Sequence, residues 1–434
     1  MWLNGFVSSP ICCVSRASIL TGLYAHNHRT TGNFLERGCA DRRWQRQFET
    51  EALSVPLQQA GYRTFYAGKY LNKYGMLGIA PPPGWDAWFG LVGNSVYFNY
   101  SLSHNGRRIR YAARDEDYLP SVIWRHAHAF LAAQKNRSQP IFLLLAPPSP
   151  HAPFTPDHQY RRMFPEAKAP RVPSYNRHGA DKHWLIRQAP SPMEHHVVDV
   201  VDTAYRNRKR TLLSIDELVG NLLHQLKSMG RLQNTFIMYT SDNGFHTGQF
   251  SMPLDKRHLY DFDIRVPLMV RGPGIKPNSS TPQMVLNIDI TPTIWELAGV
   301  KRHPPTDGKS FVPLLLPSLY PQRKRRWRRK MLVEYWGQGR GGVPAQCPPR
   351  PNLSECSPGC VCEDAANNTY TCLRWLTPAK EGIYCRFQDS EDFREAYDLK
   401  ADPHQLHNIA NQMNPSLFEQ LLARKSHCRR RSCA

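Results

Sequence analysis

Between about residues 50 and 300 the chain alternates helical patterns with short apolar runs. Glu51–Ala60 has helical character and ends at Gly61, ahead of the strand-like run Tyr62–Ala67, and Tyr118–Gln134 is followed in the same way by Ile141–Ala146. A third unit is the best marked. Ser214 and Glu217 have capping-box spacing, Leu218, Val219, Leu222, Leu223 and Leu226 recur at helical intervals, Gly230 stands where a C-terminal cap would, and the strand Thr235–Thr240 follows. This alternation predicts an α/β fold with a mixed, mostly parallel sheet covered by helices. Open sheets of that kind bind ligands beyond the carboxyl ends of their strands, the position that Lys69, His151 and the pair Asp242 and Asn243 all occupy.

The rest of the chain differs in composition. Eight of the eleven cysteines follow residue 346, at Cys347, Cys356, Cys360, Cys362, Cys372, Cys385, Cys428 and Cys433. That density belongs to disulfide-bonded extracellular modules. The close spacing of Cys356, Cys360 and Cys362 suits zinc as well, but no His-x-x-x-His partner lies nearby, so disulfides are expected. The sequons at Asn99, Asn136, Asn278, Asn352 and Asn367 mark candidate glycosylation sites and point to the same secretory pathway. Met1–Pro10, however, has neither the basic segment nor the apolar run of a secretory signal. A proline-rich and then basic stretch divides the chain into residues 1–315, an α/β domain, a basic linker at 316–330, and a smaller cysteine-rich α+β subdomain at 331–434. The run Arg323–Lys330 reads as a solvated linker, with a glycosaminoglycan contact or a processing site as the sharper alternatives.

Lysine and arginine outnumber the acids by 56 to 35, a formal charge of +21 that favours polyanionic partners: glycosaminoglycan, nucleic acid or anionic membrane. The longest apolar stretch, Ile141–Ala146, is too short to span a bilayer.

Two motifs carry chemistry. Ser9–Gly22 (SPICCVSRASILTG) resembles the sulfatase signature Cys-x-Pro-Ser-Arg followed by Leu-Thr-Gly, and Thr240–Gly248 (TSDNGFHTG) resembles the family's metal-binding strand end. The resemblance implies that Cys12 is oxidised to formylglycine by a formylglycine-generating enzyme. It further implies that Asp242 and Asn243, with the modified Cys12, hold one Ca2+, and that Arg16, Lys69, His151 and Lys256 complete the catalytic set. His151 would contact sulfate and protonate the leaving sugar oxygen. One position departs from the pattern, because Val14 stands where proline or alanine is usual.

Within the family, the segments His178–Pro190, Asp255–Gly274, Cys360–Cys372 and Tyr397–His404 look like the N-acetylglucosamine-6-sulfatase group. That likeness implies removal of 6-sulfate from non-reducing N-acetylglucosamine in heparan and keratan sulfate, a lysosomal location, no nucleic-acid partner, and Lys182 and His183 as substrate contacts. A homodimer would be in keeping with it. Asn72 resembles a group-specific variant without an assigned role. The resemblance also implies an earlier strand ending in an Asp-Asp pair of metal ligands. Only eleven residues precede Cys12 and none of Met1–Ser8 is acidic, so that first strand is expected to be missing, with neighbouring strand edges left exposed. If Cys12 is modified, Cys13 and Cys39 remain as a disulfide pair. Two alternatives stand beside this reading: a truncated relic that binds glycosaminoglycan without turnover, and an extracellular endo-acting glucosamine-6-sulfatase.

Overall fold

The computed structural model describes residues 1–320, 327–348 and 351–433. Its first elements are β1 (Gly5–Phe6), α1 (Cys12–Thr21), α2 (Ala25–His28) and α3 (Ser54–Gln59). The central sheet then forms from β2 (Arg63–Lys69), β3 (Ala87–Leu91), β4 (Ser101–His104) and β5 (Arg107–Arg110). Helix α4 (Leu119–Ala133) leads into β6 (Ile141–Ala146), and α5 (Trp184–Arg187) and the long α6 (His195–Ser228) lead into β7 (Ile237–Thr240). The order across the sheet is β5-β4-β3-β2-β6, with β2 parallel to both β3 and β6 and the outer pairs antiparallel. It is therefore a mixed sheet, as the alternation predicts.

Side-chain alternation along β2 explains why both faces are covered. Phe65 and Ala67 pack with Val122, Ile123 and Ala127 of α4 and Leu218 of α6. On the opposite face Tyr66 joins Trp88, Tyr70 and Trp44 and the α1 residues Cys13, Ala17 and Leu20. Each fully buried Phe or Leu contributes roughly 1.5–3 kcal/mol of transfer free energy, so this sandwich dominates the stability of the central half.

The sheet is not closed. Among the described residues β6 pairs only with β2, and β7 pairs only with the antiparallel strand Leu268–Arg271. Ile141–Leu145 and all of β7 are correspondingly only half-buried.

Helix α6 corrects one expectation. Ser214 does not start a helix; it lies buried in the interior of a 34-residue one. The preceding residues Val197, Val201 and Ala204 are buried too, so packing carries the helix through a local cap signal.

The C-terminal region forms a four-stranded antiparallel sheet, Lys330–Tyr335, Tyr370–Leu376, Glu381–Phe387 and Arg394–Asp398, against which the helix Pro415–Ser426 lies. It has no core of its own. Leu332, Leu373, Tyr384 and Ala396 share one apolar cluster with Phe6, Val7, Ile11 and Val14 from the start of the chain. Buried ion pairs fasten the junction. His246 lies between Asp263 and Glu363, each 3.0 Å away, and these opposite charges push the imidazole up to about 10 against the effect of burial. Arg374, fully buried, bridges Asp261 and Glu381 at 2.6 Å each.

The linker expectation is corrected at its end: Trp327 is buried and the guanidinium of Arg328 pairs with Asp289 at 2.8 Å, so these residues are anchored, not solvated. The remainder of the basic run, residues 323–326, lies outside the described residues. Five disulfides join Cys13–Cys39, Cys347–Cys360, Cys356–Cys362, Cys372–Cys385 and Cys428–Cys433, leaving Cys12 as the free, buried cysteine. The sequon residues Asn99, Asn136, Asn278 and Asn352 are exposed and Asn367 is half-buried. No helix of the described residues is long and apolar enough to cross a membrane.

Candidate active site

Three chain segments meet beyond the carboxyl ends of β2, β6 and β7. Cys12 is the first residue of α1, and Arg16, one turn on, projects from the same face. The Arg16 guanidinium donates to Asp242 Oδ2 at 2.7 Å through Nε and to Lys69 O at 2.8 Å through Nη1. It thereby ties the end of β2 to the loop after β7. Glycine is required at both strand ends. A Cβ on Gly68, whose φ is +111°, would stand 2.1 Å from Ala146 O, and one on Gly244 would stand 2.2 Å from Phe262 O.

The centre is strongly cationic. Lys69 Nζ is buried without a hydrogen-bond partner, and burial lowers its ammonium to about 8, helped by Arg16 and Lys256 and opposed by Cys12 and Asp242. Lys256, which has Asp255 at 3.5 Å, is held above the usual lysine range: burial opposes this, but Cys12 and Asp255 outweigh it. Burial pulls the Asp242 carboxyl up, yet Arg16, Lys69 and Lys256 together hold it below the ordinary carboxylate value. His151 is pushed well below the usual imidazole range by burial and then by Lys69 and Lys256. Its Nδ1 lies 2.7 Å from Ala152 O, which can only accept. The neutral ring consequently carries its proton on Nδ1 and presents a bare Nε2, 4.0 Å from Cys12 Sγ.

Cys12, Arg16, Lys69, His151, Lys256 and Asp242 are therefore gathered around one point. Asn243 follows Asp242, and its Oδ1 is buried without a partner while its Nδ2 donates to Gly244 O at 2.7 Å. An orphaned oxygen beside an ionised carboxylate suits a hard cation in kind. A calcium ion takes about six to eight oxygens, and the side chains of Asp242 and Asn243 offer fewer. The buried group His246, His258 and Glu363 lies close together too, but both ring nitrogens of His246 are engaged by carboxylates.

Lys182 and His183 are placed elsewhere, and their expected role as substrate contacts is corrected. Lys182 is wholly buried, bonded to Asp181 at 2.7 Å and to Leu406 O at 3.2 Å, and His183 pairs with Asp389 at 2.7 Å while stacking on Phe387. Neither side chain reaches solvent, so both tie the segment before α5 to the C-terminal sheet. Asn72 is buried, with its Oδ1 unpartnered. Two residues at the site carry no signal in the sequence. Tyr97 donates its hydroxyl to His151 O at 2.9 Å, and Arg208 of α6 lies with its guanidinium 4.0 Å from the centroid of the Phe245 ring.

A nucleophile position at the head of a buried helix, ringed by two lysines, an arginine and a neutral histidine, is a site for an anionic ester. The Sulfatase family model matches residues 1–300, and the chain belongs to that family of sulfuric ester hydrolases. Among its relatives are the N-acetylglucosamine-6-sulfatase of Capra hircus, 47% identical over 96% of this chain and 75% of that one, and that of Homo sapiens, 46% identical over 96% of this chain and 76% of that one. The fold matches a solved structure in complex with its substrate D-glucosamine-2-N,6-O-disulfate, with a TM-score of 0.74, 23% identity, and 98% of this chain and 90% of that chain covered.

Proposed function

We propose that the chain hydrolyses 6-sulfate esters of N-acetylglucosamine at the non-reducing ends of heparan and keratan sulfate fragments. The observation that carries this reading is the convergence of Cys12, Arg16, Lys69, His151, Lys256 and Asp242 in a chain nearly half identical to N-acetylglucosamine-6-sulfatases. Cys12, the one free cysteine among the described residues, is the position for formylglycine, and the formylglycine-generating enzyme is the partner this implies. Formylglycine, as its hydrate, supplies one hydroxyl to attack sulfur and a second that allows sulfate to be expelled. Val14 is buried in the third helical position of α1. A Ca2+ held by Asp242 and Asn243 would supply charge compensation for the sulfate.

The chain's own residues do the remainder. Lys69 and Lys256 bind the sulfate oxygens, and their desolvation strengthens that attraction. Arg16 is a positioning residue, holding Asp242 and the end of β2 in place. His151, with Nε2 unprotonated in the resting site, would take up there the proton released by the attacking hydroxyl and deliver it to the leaving sugar oxygen. The lysosome is the compartment this substrate class implies, and a homodimer is the assembly proposed with it.

The formal charge of +21 favours a second reading, a chain that binds glycosaminoglycan without turnover. One assay separates the two. Sulfate release from N-acetylglucosamine-6-sulfate, with calcium supplied, should fall by roughly a thousand-fold or more in Cys12→Ala. Heparin binding by a folded chain with no release, and Cys12 recovered as a thiol, would replace hydrolysis by binding alone.

A further inference from the structure

Many of the described arginines in this molecule pair with no acid, but the most enclosed ones, Arg16, Arg257, Arg328 and Arg374, do. Arg16, Arg171, Arg187, Arg257, Arg374 and Arg394 each pair with a carboxylate at 2.9 Å or less. Arg208 is different. Among the described residues no carboxylate lies within ion-pair distance of it, and its one hydrogen bond runs from Nη1 to Pro150 O at 3.2 Å. The guanidinium lies against the ring of Phe245, 4.0 Å from its centroid, with the Phe154 ring centroid 5.8 Å away. Burial lowers it to about 10, which states the same thing energetically: it is desolvated and its charge is not offset by an acid.

Its location decides what it could do. Pro150 immediately precedes His151, and the ring of Phe245 that carries Arg208 also has Lys256 Nζ 5.8 Å from its centroid. Arg208 thus stands beside the sulfate-binding lysine with an aromatic ring shared between them. Its remaining N–H groups have no protein partner, yet they are not sealed from water as Lys69 Nζ is. A half-buried cation that has no acid of its own is free to take an incoming anion. The planar fork suits a bidentate sulfo or carboxylate group, and the Phe245 ring lies against it.

We propose that Arg208 forms a second anion subsite, reading a negatively charged group of the substrate other than the 6-sulfate. This rests on the reading given under Proposed function. Two sources supply the chemistry: a 2-N-sulfo group on the same glucosamine, or the carboxylate of an adjoining uronic acid.

The test uses the full chain carrying Cys12→Ala, so that no ester is cleaved, and calorimetric titration with three sugars. These are N-acetylglucosamine-6-sulfate, glucosamine-2-N,6-O-disulfate, and N-acetylglucosamine-6-sulfate linked to a uronic acid. A charge-assisted bidentate contact predicts that one of the two dianionic sugars binds roughly 10- to 100-fold tighter than the monoanionic one. Adding Arg208→Gln should collapse that ratio to about one, whereas Arg208→Lys, which keeps the charge and loses the fork, should leave a ratio between the two. Which sugar loses its advantage identifies the source. Equal binding of all three sugars by the Cys12→Ala chain, or a preference that survives Arg208→Gln, overturns the subsite and leaves the sulfatase reading standing. Failure of every sugar to bind a chain that melts cooperatively overturns both.

Discussion

The central sheet and the C-terminal sheet use equally apolar strands and close them differently. In the C-terminal sheet Tyr370–Leu376 has a paired strand on each side, and Cys372 and Leu373, on its opposite faces, are both sealed. In the central sheet Ile141–Leu145 is as apolar as any segment of the chain, yet it has a partner on one side only and is half-buried along its length. The buried charges follow the same division. Those at the C-terminal junction are matched, His246 by Asp263 and Glu363 and Arg374 by Asp261 and Glu381, while the central site keeps Lys69 and Arg208 unmatched. Closure and charge matching mark the half that holds the molecule together; open strand ends and unmatched cations mark the half that meets an anion.

The largest expected test of this division is Arg374→Ala. It leaves Asp261 and Glu381 facing an emptied buried site, and breaking such a pair costs about 3–5 kcal/mol. Chemical denaturation should show that loss as a lowered midpoint; a cost near that of a surface pair, about 1 kcal/mol or less, would mean the junction is wetter than its burial implies. The next test compares two leucines directly. Leu373→Ala in the closed sheet should cost about 2–5 kcal/mol, and Leu144→Ala in β6 nearer 1 kcal/mol, because the half-buried side chain loses less contact and leaves no sealed cavity. Equal costs would show that β6 is covered in solution.

How much of this could be read beforehand follows from the range of the forces involved. The strand Ile141–Ala146 and the helix before it were legible because period, length and the following prolines agree locally. Cys12 and Arg16 were legible because they fall in a segment that resembles the sulfatase signature, and their spacing of four residues on a helix puts both on one face. The start of α6 was misread because Ser214 and Glu217 satisfy a local rule that the packing of Val197 and Val201 overrides. Lys182 and His183 were misread for a related reason. A sequence does not show which polar side chains are sealed, and their partners Leu406 and Asp389 lie more than 200 residues away. Arg208 was invisible because what distinguishes it is the lack of a nearby acid, a property of the folded surroundings.

The smallest expected effect separates the halves by pH. Glu49 lies under the central aromatic cluster, accepting from Trp44 Nε1 at 3.1 Å and Tyr70 OH at 3.2 Å. Burial pushes its carboxyl up to about 7, and those two hydrogen bonds recover only part of the shift. Because the folded value lies above the ordinary value of 4.5, its contribution to stability is fully present below 4.5 and is lost as pH rises through about 7. His246 at the junction also has a raised value, but its contribution is fully present below 6.5 and is lost progressively as pH rises from 6.5 through about 10. Between about pH 5 and about pH 6.5 the central half should therefore weaken while the junction largely holds, by on the order of 1 kcal/mol once water access to Glu49 is allowed for. Amide exchange, corrected for intrinsic rates, should show protection falling in α1 and β2 but not in Tyr370–Leu376. Glu49→Gln should remove the difference; if the two regions still diverge in that variant, another group in the central half sets the pH dependence.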